Sequence, residues 1–276
     1  PDDRFLPKTA SGAIVAYKCV GNIYGLQQAG RIWYLCARKW LLGPRMQLCQ
    51  SSVDPCIFYR RFPDDSFLLL ALYVDDSLQV MSNATVRDWY AAEFKLRFKQ
   101  SPSSDGLCEF LGMTIDQSPE RDVVRINCPH LWSRLDERLS NISLPARATA
   151  PLPSAAIYEI YADPTPDDNP LVGSEECDVR GILGQVAWGI YAARPAEAFA
   201  ASLLARRASI PTRRYCRMLL HLCKYCLIHR DDTMTFRASE RRGSFSTVVD
   251  SSWANDTLTH RSWFGYALVW AGAAFS

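Results

Sequence analysis

The feature that most constrains the fold is the stretch Phe67–Ser82, FLLLALYVDDSLQVMS. Six apolar residues run from Phe67 to Leu72, the adjacent carboxylates Asp75 and Asp76 follow, and the chain then turns apolar again. A continuous apolar run bounded by a polar break reads as a buried strand, and the second run reads as its partner. The pattern therefore places Asp75 and Asp76 at or beside the tip of a β-hairpin. Two neighbouring carboxylates repel each other unless a cation lies between them, which suits a divalent metal. Asp is also common in hairpin turns, where it hydrogen-bonds its own backbone. By pattern alone, a solvated turn and a metal site both remain open.

The rest of the chain is long enough to surround such a hairpin with a sizeable core. Its 276 residues are 48% hydrophobic, which suits one large or two ordinary domains and argues against disorder. The net charge of +2 does not by itself point to nucleic acid. The distribution says more. Glu159–Asp178 holds seven acidic and no basic residues, whereas Arg206–Arg230 holds seven Lys/Arg and no acidic ones. Ten scattered cysteines in a chain of this length are not a disulfide scaffold; thiols in a reducing compartment fit, and secretion does not. No apolar run approaches the ~20 residues of a membrane span. The chain opens PDDRFLPKTA without Met and stops in YALVWAGAAFS, an unfinished strand by its pattern. The expectation is a piece of a longer polypeptide.

Local signals fill in the order of elements. Ala13–Val20 is strand-like, and Gly21 begins a Gly-punctuated loop. From Ala29, Ile32, Trp33, Leu35, Cys36, Trp40 and Leu41 recur at helical spacing, and Gly43-Pro44 stops the helix. Cys56–Arg61 predicts a strand that pairs with the hairpin across the turn Pro63-Asp64-Asp65. Thr85–Phe98 predicts an amphipathic helix with Val86, Trp89, Tyr90 and Phe94 on its packing face. Phe110–Gln117 and Asp122–Asn127 read as two strands, and Pro129–Leu139 as a helix. Six prolines between Leu144 and Pro170 mark an exposed, solvated linker. Val179–Ala193, Ala196–Ala208 and Arg213–Ile228 follow as helices, with Gly181, Gly184 and Gly189 permitting close packing in the first. Ser244–Ser251 and Ser262–Ala271 are strands of a last unit.

Two side-chain clusters stand out in the second half of the chain. Cys216, His221, Cys223, Cys226 and His229 include a C-x-x-C spacing that suits zinc. A closed zinc site normally draws ligands from two segments, and here all five sit within one helical pattern, so buried thiols are expected instead. The basic run carries Arg213, Arg214 and Arg217 with Tyr215 and Tyr225 interleaved. It reads as a solvated helix face or as a phosphate-backbone contact.

Taken in order, these blocks resemble the reverse transcriptase of copia-type LTR retrotransposons. Tyr24-Gly25-Leu26-Gln27-Gln28-Ala29-Gly30-Arg31 with Trp33-Tyr34 is similar to the family's YGLKQAPRxWY block. Asp54-Pro55-Cys56-Ile57-Phe58-Tyr59, Leu72-Tyr73-Val74-Asp75-Asp76 and Phe110-Leu111-Gly112-Met113 resemble its next strand, its LYVDD hairpin and its FLGM block. Gly184–Pro195 resembles the run that ends TRPD, Arg213–Arg230 resembles the LRYLKGT helix, and Asp250-Ser251-Ser252-Trp253-Ala254 resembles the opening of the RNase H domain.

The resemblance implies an α+β chain. Reverse transcriptase fingers and palm, an antiparallel sheet with packed helices, occupy 1–128. A helical thumb and connection occupy 129–240, with the Pro-rich acidic linker at 144–178, and an RNase H-like domain begins at 241–276. It implies nucleotidyl transfer extending a primer on an RNA or DNA template, with two Mg²⁺ (or Mn²⁺) ions in the complete family site. Asp75 and Asp76 would be catalytic, metal-holding carboxylates. Tyr24, Gly25, Gln28 and Tyr73 would line the nucleotide and template base, and a Cβ at Gly25 would crowd the nucleotide. Arg213, Arg214 and Arg217 would touch nucleic-acid backbone, and Asp250 would belong to the RNase H-like site. Implied partners are a template–primer hybrid, dNTP and the remainder of the retroelement polyprotein. The implied location is the cytoplasm, in a virus-like particle, or the nucleus. The third palm carboxylate belongs to a motif upstream of the YGLKQAPR block that the leader before Tyr24 does not contain, so this chain is expected to be inactive alone. The alternative is a non-catalytic nucleic-acid-binding or assembly remnant. Gln27 and Gly30 replace the family's Lys and Pro, and Ala196 stands where TRPD has Asp.

Overall fold

The computed structural model describes residues 10–11, 25–98, 106–156, 160, 178–209, 211–239, 245–253, 260–271 and 273–275. The chain divides into two compact units, Pro1–Ser101 and Pro102–Ser276.

In the first unit the apolar run folds as the pattern predicts. Helix α1 spans Ala29–Leu41, and strands β1 (Cys49–Gln50), β2 (Ile57–Arg61), β3 (Phe67–Tyr73) and β4 (Asp76–Met81) form one sheet in the order β1-β2-β3-β4. All three pairings are antiparallel. Helix α2 spans Ala84–Arg97; the Asn83 side chain caps it by accepting the Val86 amide. Strand alternation sends Phe58, Leu68, Leu70 and Leu72 to the buried face, where they meet Ala37 and Leu41 of α1 and Val86 and Tyr90 of α2. Aromatic rings tighten this contact: Trp40 packs edge-on to Phe94 at 5.7 Å and to Phe98 at 5.2 Å. Burial raises the Tyr90 phenol well above its ordinary pKa.

The second unit holds two further antiparallel sheets and a helical core. Strands β5 (Leu107–Phe110), β6 (Met113–Gln117), β7 (Val123–Asn127) and β8 (Met234–Arg237) lie in that order. The predicted single strand Phe110–Gln117 is in fact interrupted. Leu111 and Gly112 both take positive φ, 53° and 75°, and make a two-residue turn between β5 and β6. Glycine supplies half of that conformation without strain. Strands β9 (Phe245–Ser252), β10 (Trp263–Trp270) and β11 (Ala273–Phe275) form the other sheet in the order β11-β10-β9.

Helices α3 (Pro129–Leu139), α4 (Val179–Ala193), α5 (Ala198–Ala205) and α6 (Arg213–Ile228) pack together around Trp132, Leu135, Ile182, Val186, Ile190, Leu203, Leu219 and Leu222. Gly189 of α4 is a contact point: a Cβ there would lie 2.7 Å from the Trp132 ring. Gly184 faces open space, so its predicted packing role does not hold. Cys216, Cys223 and Cys226 are buried thiols in this core, as the helical reading expected. Burial pushes Cys226 up to about 12 and Cys128 up to about 11. The described part of the proline-rich stretch is not simply solvated. Ala156 and Ile160 are buried in the helical core, with Leu144 and Leu152 against it. Among the described residues no helix is long and apolar enough to cross a membrane.

Candidate active site

The hairpin puts its carboxylates at the tip because the ladder runs out there. Tyr73 pairs with Asp76, which leaves Val74 and Asp75 as a two-residue loop. Such loops favour positive φ at their first central position, usually with glycine. Here Val74 takes that place at φ 50°, a costly conformation for a β-branched side chain. Tyr73 is 57% exposed, and Asp75 and Asp76 are exposed too. Among the described residues no side chain donates a hydrogen bond to either carboxylate or forms an ion pair with it.

Helix α1 lies beside this tip and holds it. The Trp33 indole Nε1–H donates to the Val74 carbonyl. One residue on, the Tyr34 hydroxyl donates to the Pro55 carbonyl at 2.9 Å. Gln50 Nε2 donates to the Tyr34 hydroxyl at 2.8 Å and to the Pro55 carbonyl at 2.7 Å, while Arg38 Nε donates to Gln50 Oε1 at 2.9 Å. The chain from α1 through β1 to the loop before β2 is therefore one polar brace. The motif pairing of Trp33 with Tyr34 was visible in the sequence; Gln50 carried no signal, because its partners are set by sheet register alone.

The other proposed site residues fall as follows. Gly25 has φ 93° with open space around its missing Cβ, so its backbone conformation is itself a reason for glycine. Gln28 is the residue just before α1, at its N-cap, exposed and without a side-chain capping bond. Tyr24 lies outside the described residues. In the second unit, Arg213 and Arg217 are exposed on the first turns of α6, and Arg214 is half-buried. Asp250 is exposed on β9, opposite Gly265, and its carboxylate accepts the Ser251 amide at 2.9 Å. A cleft of 740 Å³ includes Leu111, Gly112, Arg134, Arg138 and Trp188 in its lining.

A buried ion pair escaped the sequence reading. Arg194 and Glu197 are 4% and 5% exposed and meet at 2.6 Å. Arg194 Nη1 also donates to the carbonyls of Cys226 at 3.0 Å and His229 at 3.1 Å, closing the C-terminal end of α6.

Among the described residues no three His, Cys, Asp or Glu side chains gather into a metal-holding group. The hairpin pair offers two hard oxygen ligands, the kind Mg²⁺ accepts when substrate phosphates and water fill its remaining positions. The donor chemistry therefore fits a cation shared with a nucleotide.

Comparison with known proteins agrees with the motifs. Residues 12–136 match the family described as reverse transcriptase (RNA-dependent DNA polymerase). The chain is 22% identical over 256 residues to the retrovirus-related Pol polyprotein from transposon TNT 1-94 of Nicotiana tabacum, covering 92% of this chain and 19% of that protein. It is 26% identical over 259 residues to the Pol polyprotein from transposon RE2 of Arabidopsis thaliana, and 25% identical over 254 residues to that from transposon RE1. Each of these two matches covers 91% of this chain and 16% of the relative. The chain thus spans less than a fifth of the length of these curated relatives. No solved structure matches it significantly. Colinear motifs, an antiparallel hairpin with the carboxylates at its tip, and these matches converge: the chain is similar over residues 12–136 to the reverse transcriptase family and, over about nine tenths of its length, to retrotransposon Pol polyproteins.

Proposed function

We propose that this region works in RNA-directed DNA synthesis, with Asp75 and Asp76 as two carboxylates of the nucleotidyl-transfer site. The observation that carries the reading is the pair of exposed carboxylates, without a side-chain partner among the described residues, on a loop braced by α1. Adjacent carboxylates left without a counter-charge are costly as a structural device and natural as metal ligands. Mg²⁺ or Mn²⁺ bound there supplies neutralisation of the phosphate charge that builds up during transfer. Tyr73, exposed beside the pair, Gly25 and Gln28 at the start of α1, and Tyr24 line the nucleotide and template base.

In this reading, residues 1–128 are fingers and palm. Residues 129–240 are thumb and connection, joined through the 144–178 stretch, and 241–276 begin an RNase H-like fold with Asp250 in its site. Arg213, Arg214 and Arg217 contact the backbone of a template–primer hybrid. Cations at a helix N-terminus oppose the helix dipole by about 0.3–1 kcal/mol each, so the dipole itself gives no reason for Arg213 and Arg214 at that end. The Leu111-Gly112 turn and its cleft seat the primer strand. Nucleic acid, dNTP and the remaining polyprotein are the partners, in the cytoplasm, inside a particle, or in the nucleus.

The 276 residues alone furnish two of the three carboxylates the family uses, and we infer that they do not extend a primer. Primer extension with Mg²⁺ or Mn²⁺ on a homopolymer template tests this. No product is expected. Product that disappears in Asp75→Asn would confirm the site and overturn the inferred inactivity. Product that persists in Asp75→Asn would overturn the site assignment.

A further inference from the structure

We infer that Trp33 is a positioning residue for the carboxylate pair, an inference that rests on reading Asp75 and Asp76 as the metal-holding site. Its indole N–H holds the loop that presents them. Val74 stands at φ 50° in a position that ordinarily goes to glycine, so the loop conformation is not self-supporting and must be held by its surroundings. The Val74 carbonyl, lying outside the Tyr73–Asp76 pair that closes the ladder, receives the Trp33 Nε1–H.

The indole suits this task in three ways. It is a donor only, so it forms this bond with a carbonyl and offers nothing to compete with the carboxylates for a cation. Its ring is fixed from the other side: Trp33 packs edge-on to Phe98 at 5.1 Å and joins the apolar core beneath the sheet. Its neighbour Tyr34 anchors the same helix turn to the Pro55 carbonyl at 2.9 Å, and Gln50 and Arg38 extend that anchor. The loop is thus tied to a braced helix rather than to another loop. Two carboxylates must converge on one ion with small tolerance, so rigid support of this kind separates a poised pair from two mobile side chains.

Trp33→Phe removes the donor and keeps the ring that faces Phe98. The test uses the full 276-residue chain and two readouts: amide hydrogen exchange over the loop segment, and Mn²⁺ affinity measured by electron paramagnetic resonance. In Trp33→Phe, exchange at the Asp76 amide, which closes the ladder opposite Tyr73, is expected to rise at least tenfold, and Mn²⁺ affinity to fall about five- to tenfold. Unchanged exchange would overturn the tether. Faster exchange with unchanged Mn²⁺ affinity would overturn the positioning role and leave Trp33 merely structural. Asp75→Asn separates this inference from the site reading. If wild type and Asp75→Asn bind Mn²⁺ equally, the site reading fails, whatever the exchange shows. Should Trp33→Phe fail to fold, ¹⁵N-tryptophan labelling of the wild type gives the answer: a Trp33 indole proton that exchanges as fast as an exposed indole overturns the tether, and a protected one supports it.

Discussion

Replacing Arg194 should be severely damaging to the second unit, and the structure sets its size. The guanidinium is buried, bonded to Glu197 at 2.6 Å and to the carbonyls of Cys226 and His229 at 3.0 and 3.1 Å. It also lies 5.4 Å from the centre of the Trp132 ring. Arg194→Met preserves much of the volume but strands the Glu197 carboxylate without its counter-charge, and removing one partner of a buried pair costs about 3–5 kcal/mol. Counting the three lost hydrogen bonds at about 1 kcal/mol each gives a similar figure of about 3 kcal/mol. Replacing both partners, Arg194→Met with Glu197→Leu, removes the stranded charge. Only the two orphaned carbonyls then remain, at about 1 kcal/mol each. The double variant should therefore be less damaged than Arg194→Met alone, and sub-additive by at least about 2 kcal/mol. Urea unfolding of the wild type, both singles and the double measures this cycle. A loss below about 1 kcal/mol for Arg194→Met, or simple additivity, would refute the reasoning.

Further expectations follow from the same packing. Gly189→Ala should destabilise by about 1–3 kcal/mol, because its Cβ meets Trp132 at 2.7 Å, whereas Gly184→Ala, facing open space on the same helix, should gain up to about 1 kcal/mol; thermal melts of the two compare them directly. Burial raises the Cys226 thiol to about 12 from an ordinary value of 9.0, so its contribution to stability is fully present below about pH 9 and is lost as pH climbs towards 12. Cys226→Ala should flatten the fall in urea midpoint between pH 9 and 10.5. Binding of an RNA–DNA hybrid should weaken with salt, and Arg213→Ala and Arg217→Ala should each lower the slope of log affinity against log salt by about one. A slope that stays the same in filter binding would remove these residues from the interface.

Much of this architecture was legible because it rests on local pattern. The unbroken run Phe67–Leu72, the spacing of Trp33 and Trp40 with their neighbours, and Pro129 at the first turn of α3 each declare an element without help from distant residues. The FLGM block misled because Phe110 to Gln117 is apolar enough for one strand, while the turn depends on two consecutive positive φ angles. Only glycine advertises that conformation, and Leu111 does not. Strand β8 and the short β1 were invisible for another reason. Each is defined by its partner, Val123–Ile126 for one and Phe58–Tyr59 for the other, rather than by its own residues.

The site divides in the same way. Asp75 and Asp76 were read from their place between two apolar runs, and the structure sets them at the exposed tip. What holds them is long-range. Trp33 meets Val74 across 41 residues and Arg194 meets His229 across 35, distances over which spacing carries no signal.

The central claim is that Asp75 and Asp76 together hold a divalent cation on a nucleotide. Fluorescence anisotropy of a labelled dNTP, titrated with the 276-residue chain in Mn²⁺ and again in EDTA, tests it most directly. The expected result is binding in Mn²⁺ that EDTA abolishes and that the double variant Asp75→Asn, Asp76→Asn weakens at least tenfold. Equal binding by wild type and the double variant in Mn²⁺ would contradict it.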